Sequence, residues 1–198
     1  MALTVSQQQC TLREIVLRDK PADMLAASPK ATVPVLQLPD GTVLEESFDI
    51  MLWALGRNDP ESWLSPEVGT RADMQALIVE SDGPFKQHLD RYKYAIRYEA
   101  GTDPLHHRTE GSAFLDRLND RLAHHGQLFG DRTALADVAI FPFVRQFANT
   151  DRDWFDGQSV PNLQRWLAGH LDSALFKSVM VKWPVWQPGD AETVFPNF

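Results

Sequence analysis

The sequence contains a single cysteine, Cys10. No intrachain disulfide is therefore available, nor a zinc site of the cysteine-rich kind. One thiol in 198 residues fits a reducing compartment such as the cytoplasm. Cationic charge is also short: 19 Lys and Arg stand against 27 Asp and Glu, a net charge of −8. A balance this acidic argues against general nucleic-acid binding, which depends on neutralising phosphates. No apolar run approaches the ~18 residues of a membrane span. The opening segment, MALTVSQQQC, lacks the basic stretch and long apolar core of a secretory signal. There is no internal repeat or low-complexity tract. What remains is ordinary globular composition, 43% hydrophobic and 23% charged. A chain of this length holds one or two domains and needs no covalent staples. A cytoplasmic protein is expected, with no nucleic-acid and no membrane partner.

Two halves read differently. Residues 10–17 (CTLREIVL) alternate and carry β-branched side chains, which predicts a strand. A short helix is expected over 21–27, with Pro21 at its first position. Residues 33–38 (VPVLQL) and 42–45 form the arms of a hairpin around Pro39-Asp40-Gly41, where Gly41 can take positive φ. A helix follows over 47–55, with Phe48, Met51, Leu52 and Leu55 on its inner face and Gly56 as its stop. Beyond a punctuated linker at 58–65 the periodicity is helical. Apolar positions from Met74 through Phe85 and Leu89 to Ile96 keep steps of three or four across 70–98, interrupted at Gly83-Pro84. Further helices are expected at about 104–124, 134–149, 162–171 and 173–181. The segment 134–149 is apolar enough to be the buried centre. The tail from Lys182, with Trp183 and Trp186, reads as an irregular segment that packs back. The domains are then 1–57 and 66–198.

Val33-Pro34-Val35-Leu36, Asp40-Gly41, Glu46-Ser47 and Leu135-Ala136-Asp137-Val138-Ala139 carry, in order and spacing, a resemblance that spans nearly the whole chain. The sequence resembles the glutathione transferase family, and among its members a bacterial glutathione S-transferase-like protein. The resemblance implies an α/β plus all-α fold: a thioredoxin-like N-terminal domain that binds glutathione, followed by an all-helical C-terminal domain. It also implies that the thioredoxin-like domain is truncated here. Residues 1–9 match only the end of the family's first helix, so the first strand and the loop with the catalytic Tyr, Ser or Cys are absent. The catalytic residue is therefore unassigned. Cys10 matches the residue that opens the second strand, not a catalytic cysteine. Without a first strand, residues 10–17 are expected to form an unpaired edge, to be filled by a shifted pairing, a neighbouring chain or water. Such an edge is a template for another strand.

The implied activity is transfer of glutathione to a small electrophile, or thiol–disulfide exchange with a disulfide substrate. The alternative is a non-catalytic interaction or scaffold protein that keeps the fold. A homodimer is the implied assembly. The implied glutathione-binding residues are Lys30, Val33, Pro34, Glu46 and Ser47. A cis Val33–Pro34 bond, as the family has it, would turn the Val33 backbone toward an extended peptide ligand. Glu46 would take the γ-glutamyl ammonium. Ser47, with the N–H groups at the start of its helix, would take the neighbouring carboxylate. Lys30 would reach the glycyl carboxylate.

Each of these residues has a plainer reading. Ser47 is an ordinary helix N-cap, Glu46 a solvated acid, and Lys30 a surface charge. No metal is expected: His106-His107 and His124-His125 are adjacent pairs whose rings diverge on a helix, with no ligand cluster beside them. Asp137 reads as structural. The capping Ser or Thr expected three residues before it is Ala134, so either Thr133 caps with a shifted start or a cap is missing. Lys86, Arg91, Lys93 and Arg97 make one helix basic, and Lys86 is flanked by Asp82 and Asp90 at ion-pair spacing.

Overall fold

The computed structural model describes residues 1–98 and 100–197. By contact the chain forms two compact units, Met1–Glu61 with Ala174–Phe198, and Ser62–Ser173. Periodicity along the sequence places 66–198 wholly in the helical domain. In the structure the C-terminal segment belongs to the first unit, and Ser62–Ser65 of the expected linker belong to the second.

The first unit begins with α1 (Ala2–Val5), β1 (Cys10–Leu12) and α2 (Ala22–Ala27). A hairpin of β2 (Leu36–Gln37) and β3 (Val43–Leu44) then leads into α3 (Ser47–Arg57). At the hairpin turn Gly41 has φ +88°, and the Thr42 amide donates to Asp40 Oδ1 at 2.9 Å. α1 packs on α3, and Asn58 Nδ2 donates to the Ser6 carbonyl at 3.2 Å. The fully buried residues of α3 are Ile50, Ala54 and Leu55. The expected inner stripe is thus rotated: Phe48, Met51 and Leu52 are only half-buried, because the small β/α unit covers a narrow strip of the helix.

The edge of residues 10–12 is not open. After α10 (Ala174–Val179) the chain returns as β4 (Thr193–Phe195), which pairs antiparallel with β1: Cys10 with Phe195, Thr11 with Val194, Leu12 with Thr193. Gln9 Nε2 donates to the Pro196 carbonyl at 3.1 Å. Upstream, Trp186 donates its amide to the Glu14 carbonyl at 2.9 Å, and Arg13 stacks on the Trp186 ring at 4.3 Å. The expected bare edge is therefore corrected: this chain's own tail pairs it. The strand is shorter than the alternation over 10–17 implies because its partner supplies only three residues.

The second unit is helical. It holds α4 (Arg71–Glu80), a π turn over Ser81–Phe85, α5 (Lys86–Lys93), α6 (Pro104–Arg121), α7 (Leu135–Ala148), α8 (Arg152–Asp156) and α9 (Pro161–Asp172). The short α8 has no counterpart among the expected helices. The Gly83-Pro84 interruption becomes the π turn, which accommodates the missing proline N–H without ending the helix. Met74, Ile78, Phe85, Leu89 and Tyr92 point inward as expected, but Ile96 is 98% exposed because the α-helical period stops at Lys93. At the centre Phe85 stacks on Phe114 and meets Phe147 at a tilt. Glu67 accepts the amides of Asp131 and Arg132 at 2.7 and 2.9 Å, tying residues around 67 to the loop before α7. Gly130 in that loop has φ +133°, and a side chain there would run into Glu67.

Asp137 is fully buried in the first turn of α7. Its Oδ2 accepts from the Ala134 amide at 2.9 Å, and its Oδ1 from the Leu128 amide at 2.8 Å and Trp166 Nε1 at 2.9 Å. Ala134 is the N-cap and has no side-chain acceptor, so its own amide is taken by the aspartate, while the next amide, that of Leu135, donates to the Trp63 carbonyl at 2.9 Å. Burial raises Asp137 to about 6 against the pull of these donors. Burial lowers His170, packed on Phe141 and Trp166, from 6.5 to about 4. The signs are opposite. The stability contributed by His170 is present above its unfolded value of about 6.5 and is lost as pH falls toward about 4. That of Asp137 is present below 3.8 and is lost as pH rises through about 6. His170→Phe should therefore change the pH slope of stability in one direction. Between about pH 7.5 and about pH 5, wild type should lose roughly 2 kcal/mol relative to the variant. Urea unfolding at the two pH values checks this; equal slopes would refute it.

Candidate functional site

The sequence-expected site residues lie in the first unit, on two loops and one helix end. Residues 28–31 turn tightly: the Ala31 amide donates to the Ser28 carbonyl at 2.9 Å, and Ala31 has φ +55°. Ser28 is fully buried, and its hydroxyl donates to Glu45 Oε1 at 2.5 Å. This bond ties the turn to the strand that precedes α3. Lys30 is thereby brought to Glu46, with Nζ 2.6 Å from Oε1. The hydrogen bond and negative charge of Glu46 raise the Lys30 pKa above its ordinary value. Sequence reasoning singles out Lys30 and Glu46 separately and misses Ser28 and Glu45. The Ser-Pro at 28–29 is the turn signal that points to them.

The cap of α3 also differs from the simplest reading. Glu46, not Ser47, occupies the N-cap position, and no side chain caps the helix. Glu46 is turned to Lys30 instead. Ser47 is the first helical residue and is exposed. The helix start presents its positive dipole end, one hydroxyl and one ion pair together. The Val33–Pro34 bond is cis, and Val33 is 47% exposed. All five residues are accessible, and the structure brings Lys30, Glu46 and Ser47 into one polar cluster.

Other candidates resolve differently. Cys10 opens β1, and burial raises its thiol pKa, which reduces the thiolate needed of a nucleophile. Lys86 pairs with Asp90 at 3.1 Å. Arg91 stacks on Tyr98, Arg97 and Lys93 on Tyr94, and Lys93 Nζ donates to Gln146 Oε1. These cations are therefore engaged locally. His106 and His107 behave unlike a ligand pair, yet His107 Nδ1 meets Nδ1 of His88 on α5 at 3.0 Å. Spacing along one helix gives no signal for that contact between two. Among the described residues no three His, Cys, Asp or Glu gather where they could hold a metal ion. No helix among them is long and apolar enough to cross a membrane.

Two family models match the chain: the glutathione S-transferase N-terminal domain over residues 1–63 and the C-terminal domain over residues 86–169. No curated protein matches the sequence. Among solved structures the chain is similar to the ternary complex of BphK, a bacterial GST, at 21% identity and TM-score 0.74, covering 90% of each chain. It is similar to a glutathione S-transferase domain-containing protein of Marinobacter aquaeolei VT8 at 21% identity and TM-score 0.70, covering 88% of this chain and 91% of that one. A glutathione transferase family member of Pseudomonas fluorescens Pf-5, with two glutathione bound, is 22% identical with TM-score 0.64, over 79% of this chain and 74% of that one. At these identities the likeness establishes the fold, a thioredoxin-like unit with a helical one.

Proposed function

Because the chain belongs to the glutathione S-transferase family, we propose that it binds glutathione at the start of α3 and along the Val33–Pro34 segment. The observation that carries this reading is the ion pair of Lys30, from the 28–31 turn, with Glu46 at the N-cap of α3, next to Ser47, the first residue of that helix. Glutathione carries one ammonium and two carboxylates. Its γ-glutamyl ammonium would replace Lys30 as the partner of Glu46. The adjoining carboxylate would accept from the Ser47 hydroxyl and the helix-start amides. Lys30, released from Glu46, would face the glycyl carboxylate. The exposed backbone of Val33 would pair with the extended peptide between them. Glutathione bound to the Pseudomonas fluorescens Pf-5 relative supports the ligand class.

In this reading the second substrate is a small electrophile or a disulfide, and the working protein is a cytoplasmic homodimer, the commonest closed assembly. β1 is paired within the chain, so association does not depend on that edge. Ser47→Ala should weaken glutathione binding by ~1–2 kcal/mol, the scale of a hydrogen bond to a charged group. Titration calorimetry on wild type and variant measures it. Absence of heat for wild type at millimolar glutathione would sink the reading.

A further inference from the structure

His88 lies on α5 and His107 in the first turn of α6, two helices of the Ser62–Ser173 unit. Both side chains are half-buried, and their Nδ1 atoms face each other at 3.0 Å. A neutral imidazole has one N–H donor and one bare acceptor nitrogen; an imidazolium has two donors and no acceptor. A hydrogen bond between two Nδ1 atoms therefore needs one ring with a proton on Nδ1 and one whose Nδ1 is bare. The bare ring is neutral and carries its proton on Nε2. The contact survives one positive charge and fails with two, because two imidazolium rings offer only donors and repel each other.

The surroundings oppose the second charge. Burial pushes the His107 pKa below its ordinary value, and His88, His106 and Arg91 push it the same way, against the smaller upward pull of Asp103 at the N-cap of α6. Asp103 also accepts from the Leu105 amide at 2.9 Å, and Arg91 stacks on Tyr98. Arg108, next along α6, is turned to Asp151 and the Trp154 ring. α7 meets this stretch of α5 through Phe147 on Tyr92 and Gln146 on Lys93, two side chains without charge. The π turn meets α6 through Phe85 on Phe114. The stability that neutral His107 contributes is thus present above its unfolded value of about 6.5 and is lost as pH falls.

We propose that the His88–His107 contact is a proton-operated clip between α5 and the first turn of α6, closed while at least one ring is neutral and open once both are charged. Opening frees the C-terminal half of α5 from the start of α6, while the buried packing of Phe85 on Phe114 stays in place. The proposal is independent of the glutathione reading, which uses residues of the other unit.

Amide hydrogen exchange of the full chain, corrected for the intrinsic effect of pH on exchange, is the test. The reporters are the amides of Tyr92, Lys93 and Tyr94 and of His107, Arg108 and Thr109. Between about pH 7.5 and about pH 5 their protection should fall roughly fivefold more than that of α7, the effect of one lost hydrogen bond. The α7 amides serve as the reference for losses elsewhere, those from His170 included. In His107→Gln the excess fall should vanish, because a glutamine oxygen accepts from the His88 Nδ1–H whatever the charge on that ring. In His107→Ala, with no acceptor, protection should already be low at about pH 7.5 and show no excess fall. A wild-type fall no greater than that of α7, an excess fall that survives His107→Gln, or wild-type protection in His107→Ala at about pH 7.5 would overturn the proposal.

Discussion

Asp137→Ala should lower stability by about 3–6 kcal/mol, a large fraction of the ~5–15 kcal/mol that holds a typical domain folded. Three buried donors depend on this carboxylate: the amides of Leu128 and Ala134 and the indole N–H of Trp166. Removing it leaves each without an acceptor, at ~1–3 kcal/mol apiece, partly relieved where water enters the vacated space. No other side chain can substitute at the start of α7, because Ala134 carries no acceptor. The loss should also free the Trp166 ring. Asp137→Asn keeps one oxygen for two of the donors and should cost about half as much. Urea unfolding of the three proteins measures the differences. A loss below ~1 kcal/mol for the alanine variant would show that the three bonds are not what holds this helix start.

The second large effect concerns the C-terminal segment. Deleting residues 190–198 removes β4 and the carbonyl that Gln9 bonds. Three cross-strand pairs at ~0.2–1 kcal/mol each and one hydrogen bond of ~1 kcal/mol give an expected loss of roughly 2–4 kcal/mol. The loss should fall on the first unit. Amide hydrogen exchange at Cys10, Thr11 and Leu12 should accelerate well over tenfold, while that of α7 stays protected. Deleting 182–198 should cost more, since it also removes the Trp186 amide from Glu14 and the Trp186 ring from Arg13. Unchanged exchange at residues 10–12 after the shorter deletion would mean that β4 contributes little to holding β1.

Local chemistry alone determined a good part of this protein. The hairpin was legible because Pro39-Asp40-Gly41 encodes its turn in three consecutive residues. The long helices were legible because a 3.6-residue period repeats over several turns, as in Phe114, Leu118 and Leu122, all buried. Glu46 and Ser47 stood out through the family resemblance they help to carry, and local reading placed them at a helix start one residue away from the observed cap, Glu46. The tertiary structure decided the rest. Lys30 meets Glu46 because Ser28 bonds Glu45, a contact across 17 residues with no periodic signature. The role of Asp137 needed Trp166, 29 residues away, to become visible. Most of all, the partner of β1 is β4, at the opposite end of the sequence. Strand propensity says that residues 10–12 want a partner but is silent on which one. Pairing is set by what the folded chain brings alongside, so only the assembled structure could supply the answer.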